Sequence, residues 1–343
     1  MTLPWFKEGE LICPICAAPL TFCDEGVSCL HGHLWLVDSG VANLTPRTLS
    51  RAVQTTIDSF AFKWAVDPRK VFEERSRVGT FWFYDRFKSS LPRGETDFRD
   101  MLAPKGRLLD VGCGLGNMTL EMARLAPQAQ VWGVDLTPVA PLFTKLHGNI
   151  PNVRLVQGDI RNLPIAGTFD LILADGVLHH TTDTRTSLLG LAGRLNPGGD
   201  FLFYVYKRKA PVREFTDDWL REHTTQMVPE ECMEFCRALT DLGRQLRAAQ
   251  ITLRFEKPIP LLGIQAGEID LQRWVYWHLL KCFWDDGGNE LAAVVENFDW
   301  YHPPIAHRHT LEEVQEWLEE AGLKVIQLVA ADSGISVWGH REM

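Results

Sequence analysis

LLDVGCGLGN, Leu108 to Asn117, decides how the rest of this chain reads. Leu108, Leu109 and Val111 make a buried strand, Gly112, Gly114 and Gly116 make a turn, and an amphipathic helix starts near Met118. That order sets a row of backbone N–H groups and a helix N-terminus at the carboxyl edge of a sheet. Glycine suits the turn because a Cβ there would keep a ligand away from the main chain. The spacing alone is a weak signal, since plain turns and dinucleotide sites share it. Its weight comes from the apolar runs downstream.

The next apolar run, VWGVDLT, ends at Asp135 and Leu136. Asp135 lies about twenty residues beyond the turn, where a carboxylate takes both hydroxyls of a ribose. VRLVQGDIRNLP brings Gly158, Asp159 and Ile160, suited to hold an adenine amino group and cover its face. FDLILADGVLHH delivers Ala174 to His180 to the same edge, and RLNPGGDFLFYVY supplies a Pro-Gly-Gly turn and a fifth strand. On these four motif positions the chain resembles the class I S-adenosylmethionine-dependent methyltransferases, from about Leu108 through Tyr206. The resemblance implies S-adenosyl-L-methionine as cofactor, held by Asp110, Gly112, Cys113, Gly114, Asn117, Asp135, Leu136, Gly158, Asp159, Ile160, Ala174 and Asp175. It also implies an α/β fold: a seven-stranded, doubly wound, Rossmann-like sheet closed by a C-terminal antiparallel hairpin.

Length and composition agree with a folded chain. The 343 residues are enough for two domains and some decoration, and charge is well mixed. No apolar run approaches the ~20 residues of a membrane span, and the start lacks a signal-peptide core. Eight cysteines, several poorly placed to pair, suggest a reducing cytoplasm. A net charge of −9 counts against a strong non-specific grip on nucleic acid.

The first 45 residues carry a pattern of their own. Cys13-x-x-Cys16 forms one knuckle, and Cys29-x-x-x-His33 supplies a second. Two close pairs separated by a loop are what a tetrahedral Zn(II) site of Cys₃His type needs. Cys23 and His31 compete for the second pair, but Cys23 falls mid-loop and a strand through Leu34 and Leu36 leaves from His33. With all four positions filled by protein, the zinc is structural. This ribbon resembles the N-terminal zinc module of the bacterial ribosomal-RNA guanine N1-methyltransferases.

The remaining boundaries follow from pattern. Residues 46–104 read as helical and aromatic, either packing against the core or walling the cleft as N-terminal helices do in the resembled family; Arg75 and Arg77 could meet a carboxylate there. Residues 105–206 are the core, and 207–309 a helical cap whose RWVYWHLLKCFW run has helical spacing. Cys232 and Cys236 read as buried thiols. Residues 310–343 hold the last helix, opened by the capping-box pair Thr310 and Glu313, and the closing hairpin.

Methyl transfer from a sulfonium is an in-line displacement, so the protein must align the acceptor, exclude water and take up any proton. His179 and His180 follow the fourth strand, at the position facing the methyl in this fold, and either is a candidate base. Tyr301, His302, His307 and His309 crowd a Pro-Pro loop, where Asp299 or Tyr301 could orient a base. His302, His307 and His309 form a possible second metal set. The enclosed, aromatic cap favours a small-molecule acceptor, methylated at oxygen or nitrogen. The alternative is a ribosomal- or transfer-RNA base, suggested by the ribbon. Asp175-Gly176 lacks the Asn/Asp-Pro-Pro-Tyr/Phe signature of enzymes that methylate exocyclic base nitrogens.

Overall fold

The computed structural model describes residues 7–38 and 40–343; the side chain of Arg75 lies outside that description. The ribbon is an antiparallel meander of β1 (Leu20–Cys23), β2 (Gly26–Cys29), β3 (Leu34–Asp38) and β4 (Val41–Leu44). Three helices come next: α1 (Arg51–Ala65), α2 (Pro68–Phe87) and α3 (Glu95–Leu102). Ser50 and Asp67 cap α1 and α2 by accepting a backbone N–H three residues on, and Pro68 opens α2 where its missing N–H is harmless.

The core alternates β5 (Arg107–Val111), α4 (Asn117–Leu125), β6 (Gln130–Asp135), α5 (Ala140–His147), β7 (Val153–Gly158), β8 (Phe169–Asp175), α6 (Thr184–Ala192) and β9 (Leu195–Tyr206). The cap comprises α7 (Pro211–Thr224), α8 (Pro229–Ala248), β10 (Thr252–Phe255), β11 (Gly267–Asp270), α9 (Leu271–His278) and α10 (Glu290–Tyr301). Helix α11 (Leu311–Glu320) and the hairpin β12 (Lys324–Ala330) and β13 (Gly334–His340) return to the core. Both halves of the expected capping box at Thr310 and Glu313 form.

The sheet order is β1-β2-β3-β4-β7-β6-β5-β8-β9-β13-β12. Strands β5 to β9 run parallel, and β13 lies antiparallel between β9 and β12. Among the described residues the sheet therefore has eleven strands rather than the seven expected. The difference lies in β4, which pairs in parallel with β7 through Ala42, Asn43 and Leu44 and so fuses the ribbon to the core. Strand order reverses at β5, flanked by β6 and β8, so the crevice beyond these strand ends is where such sheets bind ligands. Both faces are packed: Leu109, Val111, Ile172 and Phe203 on one side, and Leu108, Met122, Leu171 and Leu202 on the other.

The cap departs from a continuous helical stretch. Strands β10 and β11 pair as a two-stranded sheet within it, and RWVYWHLLKCFW stops being helical at His278. Side chains hold the segment beyond that point. Asn297 brackets Phe283, accepting its N–H at 2.8 Å, and Gln272 donates to the Cys282 carbonyl at 3.0 Å. Cys232 and Cys236 are fully buried among Met233, Leu239 and Phe298, as expected.

Candidate functional site

The glycine turn is pinned from below. Gly112 and Cys113 both donate to the Val134 carbonyl, and Gly114 donates to Asp135 Oδ2 at 2.8 Å. Thr137 donates to Asp135 Oδ1 through its N–H and its hydroxyl. Gly114 adopts φ +50°, and a Cβ there would stand 2.8 Å from the Trp64 ring. Gly116 is left-handed at φ +88° and lies against Phe143. Asn117 is turned away from the turn, donating to the Phe72 carbonyl and to Ser76 on α2.

The carboxylates crowd together at the strand ends, and Asp110 is deeply desolvated. Burial drives the Asp110 carboxyl up to about 7, against a helpful Thr119 hydroxyl, and the nearby Asp175 and Asp135 charges push it further. Burial raises Asp135 as well, opposed by the donors of Thr137 and Gly114. Two further acids are already spoken for: Asp175 pairs with Arg86 at 2.5 Å and Asp159 with Arg161 at 2.5 Å. Ile160 is buried beside Asp159, Leu136 is bracketed by Gln157, and Gly158 sits against Pro164. Ala174 is fully buried.

These residues fit S-adenosylmethionine: a glycine-rich turn for the methionine end, a carboxylate for a ribose, and buried acids whose charge a sulfonium and an ammonium would offset. Yet the crevice between Cys113, Asp135, Val139 and Phe143 has room for about 10 Å³, the space of one water. Trp64, from α1, packs over Gly114 and against Val139.

Helix α1 reaches the acceptor side too. Lys63 is 2% exposed, lies 4.0 Å over the Trp64 ring, and pairs with Asp299 of α10 at 2.7 Å. Phe60 meets His180 edge-on at 4.9 Å. In residues 46–104, Phe60 and Trp64 pack with Leu115 and Val139, and Phe83 and Phe87 pack with Leu108 and Met122 of the core. Arg77 instead pairs with Glu74 and donates to the Gly287 carbonyl of the cap; the side chain of Arg75, the other candidate, lies outside the described residues.

His179 is fully buried and stacks on Tyr206 at 3.7 Å, and neither ring nitrogen has a hydrogen-bond partner among the described residues. Burial, then His180 and His309, hold its pKa well below the ordinary value. His180 is half-buried and shares Nδ1 with the Ile305 carbonyl at 2.6 Å. In the neutral ring Nδ1 is therefore the donor and Nε2 the free acceptor. Burial pulls His180 down to about 3, with Arg221 and Lys63 adding to the effect. The ring is therefore neutral at pH 7.

The Pro-Pro loop residues do other work. Tyr301 donates to Asp217 at 2.9 Å and accepts from the Lys281 N–H, deep inside the cap. His302 has both nitrogens engaged, by Ser59 and the Met227 carbonyl. His309 meets Thr184 at 2.9 Å, and burial lowers it to about 4. His307 is exposed, lining an open cleft of about 440 Å³ with Arg208, Glu214 and Arg308. Among the described residues, metal-ligand geometry gathers in the ribbon and not at His302, His307 and His309.

There Cys13, Cys16, Cys29 and His33 bring their donor atoms within 4.8 Å of one another. Cys13 and Cys29 lie 3.4 and 3.3 Å from His33 Nδ1, and Cys16 lies 3.7 Å from Cys29. A tetrahedron of Zn–S and Zn–N bonds has edges of about 3.5–3.8 Å, so the set fits. Burial opposes ionisation of Cys29, yet backbone N–H groups of His33 and His31 bring its thiol down to about 6. His31 approaches Cys16 at 3.2 Å from outside the set, and Cys23 is exposed on β1.

Sheet order, glycine turn and terminal carboxylates define a methyltransferase-type α/β core. The family described as "Methyltransferase domain" matches residues 108–199. A trans-aconitate 2-methyltransferase of Deinococcus radiodurans is 34% identical over 118 residues, 34% of this chain and 45% of that protein. A mitochondrial ubiquinone biosynthesis O-methyltransferase of Schizosaccharomyces pombe is 32% identical over 128 residues, 36% of this chain and 46% of that protein. The chain thus spans about half the length of these curated relatives. A crystal structure of magnesium protoporphyrin IX methyltransferase from Synechocystis PCC 6803 with bound SAH aligns at TM-score 0.42 and 11% identity, over 84% of this chain and 94% of that one.

Sequence reasoning missed Lys63, Arg86 and Arg161. Arg161 stands two residues from Asp159 and was open to inspection. Lys63 and Arg86 lie 236 and 89 residues from their partners, and no local pattern announces them.

Proposed function

We propose that this protein is an S-adenosylmethionine-dependent methyltransferase acting on an oxygen of a small molecule. The observation that carries the reading is the Gly114 N–H on Asp135, which ties a glycine turn at the end of β5 to a carboxylate at the end of β6, beside the switch point between β5 and β8. Bound there, the cofactor supplies the electrophilic methyl. Asp135 holds the ribose, Asp159 and Ile160 hold the adenine once Arg161 yields, and Asp110 and Asp175 meet the cationic end. Trp64 and Phe60 exclude water.

His180 orients the acceptor hydroxyl through Nε2. Proton transfer is late: the oxygen becomes strongly acidic only as it gains the methyl, and a weak base is then sufficient. His179 shapes the wall. In the ribbon, Cys13, Cys16, Cys29 and His33 hold one structural Zn(II), and eight free cysteines suit a reducing, cytoplasmic setting. A nucleic-acid acceptor is disfavoured by the ribbon's charge: residues 7–45 hold Lys7 against Glu8, Glu10, Asp24, Glu25 and Asp38. No helix among the described residues is long and apolar enough to cross a membrane.

Calorimetric titration with S-adenosylhomocysteine tests the reading. Wild-type protein should bind in the micromolar range, and Asp135→Ala should weaken binding 10- to 100-fold, about 1.5–3 kcal/mol for hydrogen bonds to a charged group. An unaltered affinity in the variant would remove Asp135 from the site.

A further inference from the structure

Beyond His180 the acceptor wall continues through Tyr206, 5.6 Å from His180, to Trp300, 4.8 Å from Tyr206. Four cations among the described residues surround the Trp300 ring: Arg213 and Lys281 at 5.2 Å, Lys209 at 5.5 Å and Arg308 at 6.0 Å. Three of them are neutralised, Arg308 by Glu214 and Asp218. Arg213 pairs with Asp217 in a fully buried bridge, and Asp217 also accepts from Trp300 Nε1 and Tyr301. Lys281, 3% exposed, pairs with Glu296 at 3.0 Å. Both carboxylates are thereby committed.

Lys209 is different. Its ammonium donates to two backbone carbonyls, Asp332 at 2.7 Å and Ser333 at 2.5 Å in the turn between β12 and β13, and pairs with no carboxylate among the described residues. Carbonyl oxygens solvate a cation without cancelling its charge. The nearby Glu214 is turned to the Lys209 backbone N–H and to Arg308. An ammonium has three donors, and two are used here. The indoles of buried Trp300 and half-buried Trp277, the latter at 5.7 Å, flank it. Burial, with repulsion from Arg213 and Lys281, already strains its charged form well below the ordinary lysine range. An anion relieves all of this at once.

We propose that Lys209, between Trp277 and Trp300, is the subsite for an anionic tail of the acceptor, a carboxylate or a phosphate, so that the methylated oxygen sits at His180 while the acid group is held at the cap. The subsite's role rests on the methyltransferase reading; its existence does not. No bond is made or broken there. It fixes orientation, and it selects acidic acceptors over neutral ones of the same shape by giving the tail a charge-assisted partner.

The test uses the full chain saturated with S-adenosylhomocysteine and titrated at constant ionic strength with benzoate, malonate and inorganic phosphate. Tryptophan fluorescence and calorimetry are the readouts. Saturable binding of at least one anion is expected, weakened tenfold or more in Lys209→Gln and largely restored in Lys209→Arg, with affinity for S-adenosylhomocysteine the same in all three. Preference for benzoate or malonate identifies the tail as a carboxylate, and preference for phosphate identifies a phosphate. Binding of none of the anions by wild-type protein, or equal binding by Lys209→Gln, overturns the proposal. Failure of S-adenosylhomocysteine to bind would sink the methyltransferase reading instead, and the anion titration remains readable without it.

Discussion

The ribbon and the cofactor edge treat their ligands in opposite ways. In the ribbon, the donor atoms of Cys13, Cys16, Cys29 and His33 all lie within 4.8 Å of one another, turned toward a common centre. At the cofactor edge, Asp135, Asp159 and Asp175 are already bonded within the chain, and Trp64 lies on the turn. A metal that contributes to folding is bound once, and a preformed cage suits it. A cofactor spent at every turnover must arrive and leave, and an edge that closes on itself keeps its charges partnered in between.

The largest effect should come from emptying the cage. Chelation is expected to release close to one zinc per chain and to unfold the ribbon, forfeiting on the order of 10 kcal/mol of metal-coupled stability; a colorimetric zinc assay run alongside circular dichroism reads both. Native protein without zinc would erase the contrast. Next is the pH dependence of the closed edge. Asp110, at about 7 when folded against about 3.9 when unfolded, binds its proton more tightly in the native state. Stability should therefore fall as pH rises from about 4 to 7, by up to roughly 4 kcal/mol, and level off above. Urea titrations of Asp110→Asn should lose that slope; an unchanged slope assigns it to another group.

Lys63→Met should destabilise by about 3 kcal/mol in the same assay, since it strips the cation from a buried pair. A loss below 1 kcal/mol would mean that the α1–α10 clasp does not hold the edge shut. The smallest change is kinetic. Trp64→Ala should raise the association rate of S-adenosylhomocysteine about tenfold, close to 1.4 kcal/mol, in stopped-flow fluorescence. A slower rate would make Trp64 part of the binding surface rather than its cover.

Legibility tracked the distance over which each feature is encoded. The strand-turn-helix at Leu108 to Asn117 is a local pattern, Asp135 comes one crossover later, and the four ribbon ligands sit on two knuckles; all were open to reading. The Thr310 and Glu313 cap likewise needs four residues and no tertiary context. The union of ribbon and core was not legible, because VANL at β4 is too short and plain to name a partner more than a hundred residues on. The same holds for β10 and β11, four residues each, set in a run of helices. Histidines were legible as residues and not as roles: His302 and His309 became packing groups through Ser59, Met227 and Thr184, contacts that only the folded chain creates.

The parallel pairing of β4 with β7 has a practical consequence for anyone who would transplant the core. Excising residues 105–343 would strip Ala42, Asn43 and Leu44 from Val156, Gln157 and Gly158 and bare the hydrogen-bonding edge of β7 to other molecules. Such a strand recruits its neighbours, so the trimmed piece should precipitate rather than fold cleanly. The ribbon thus shields a sheet edge, and a chimera built on the core must carry it along.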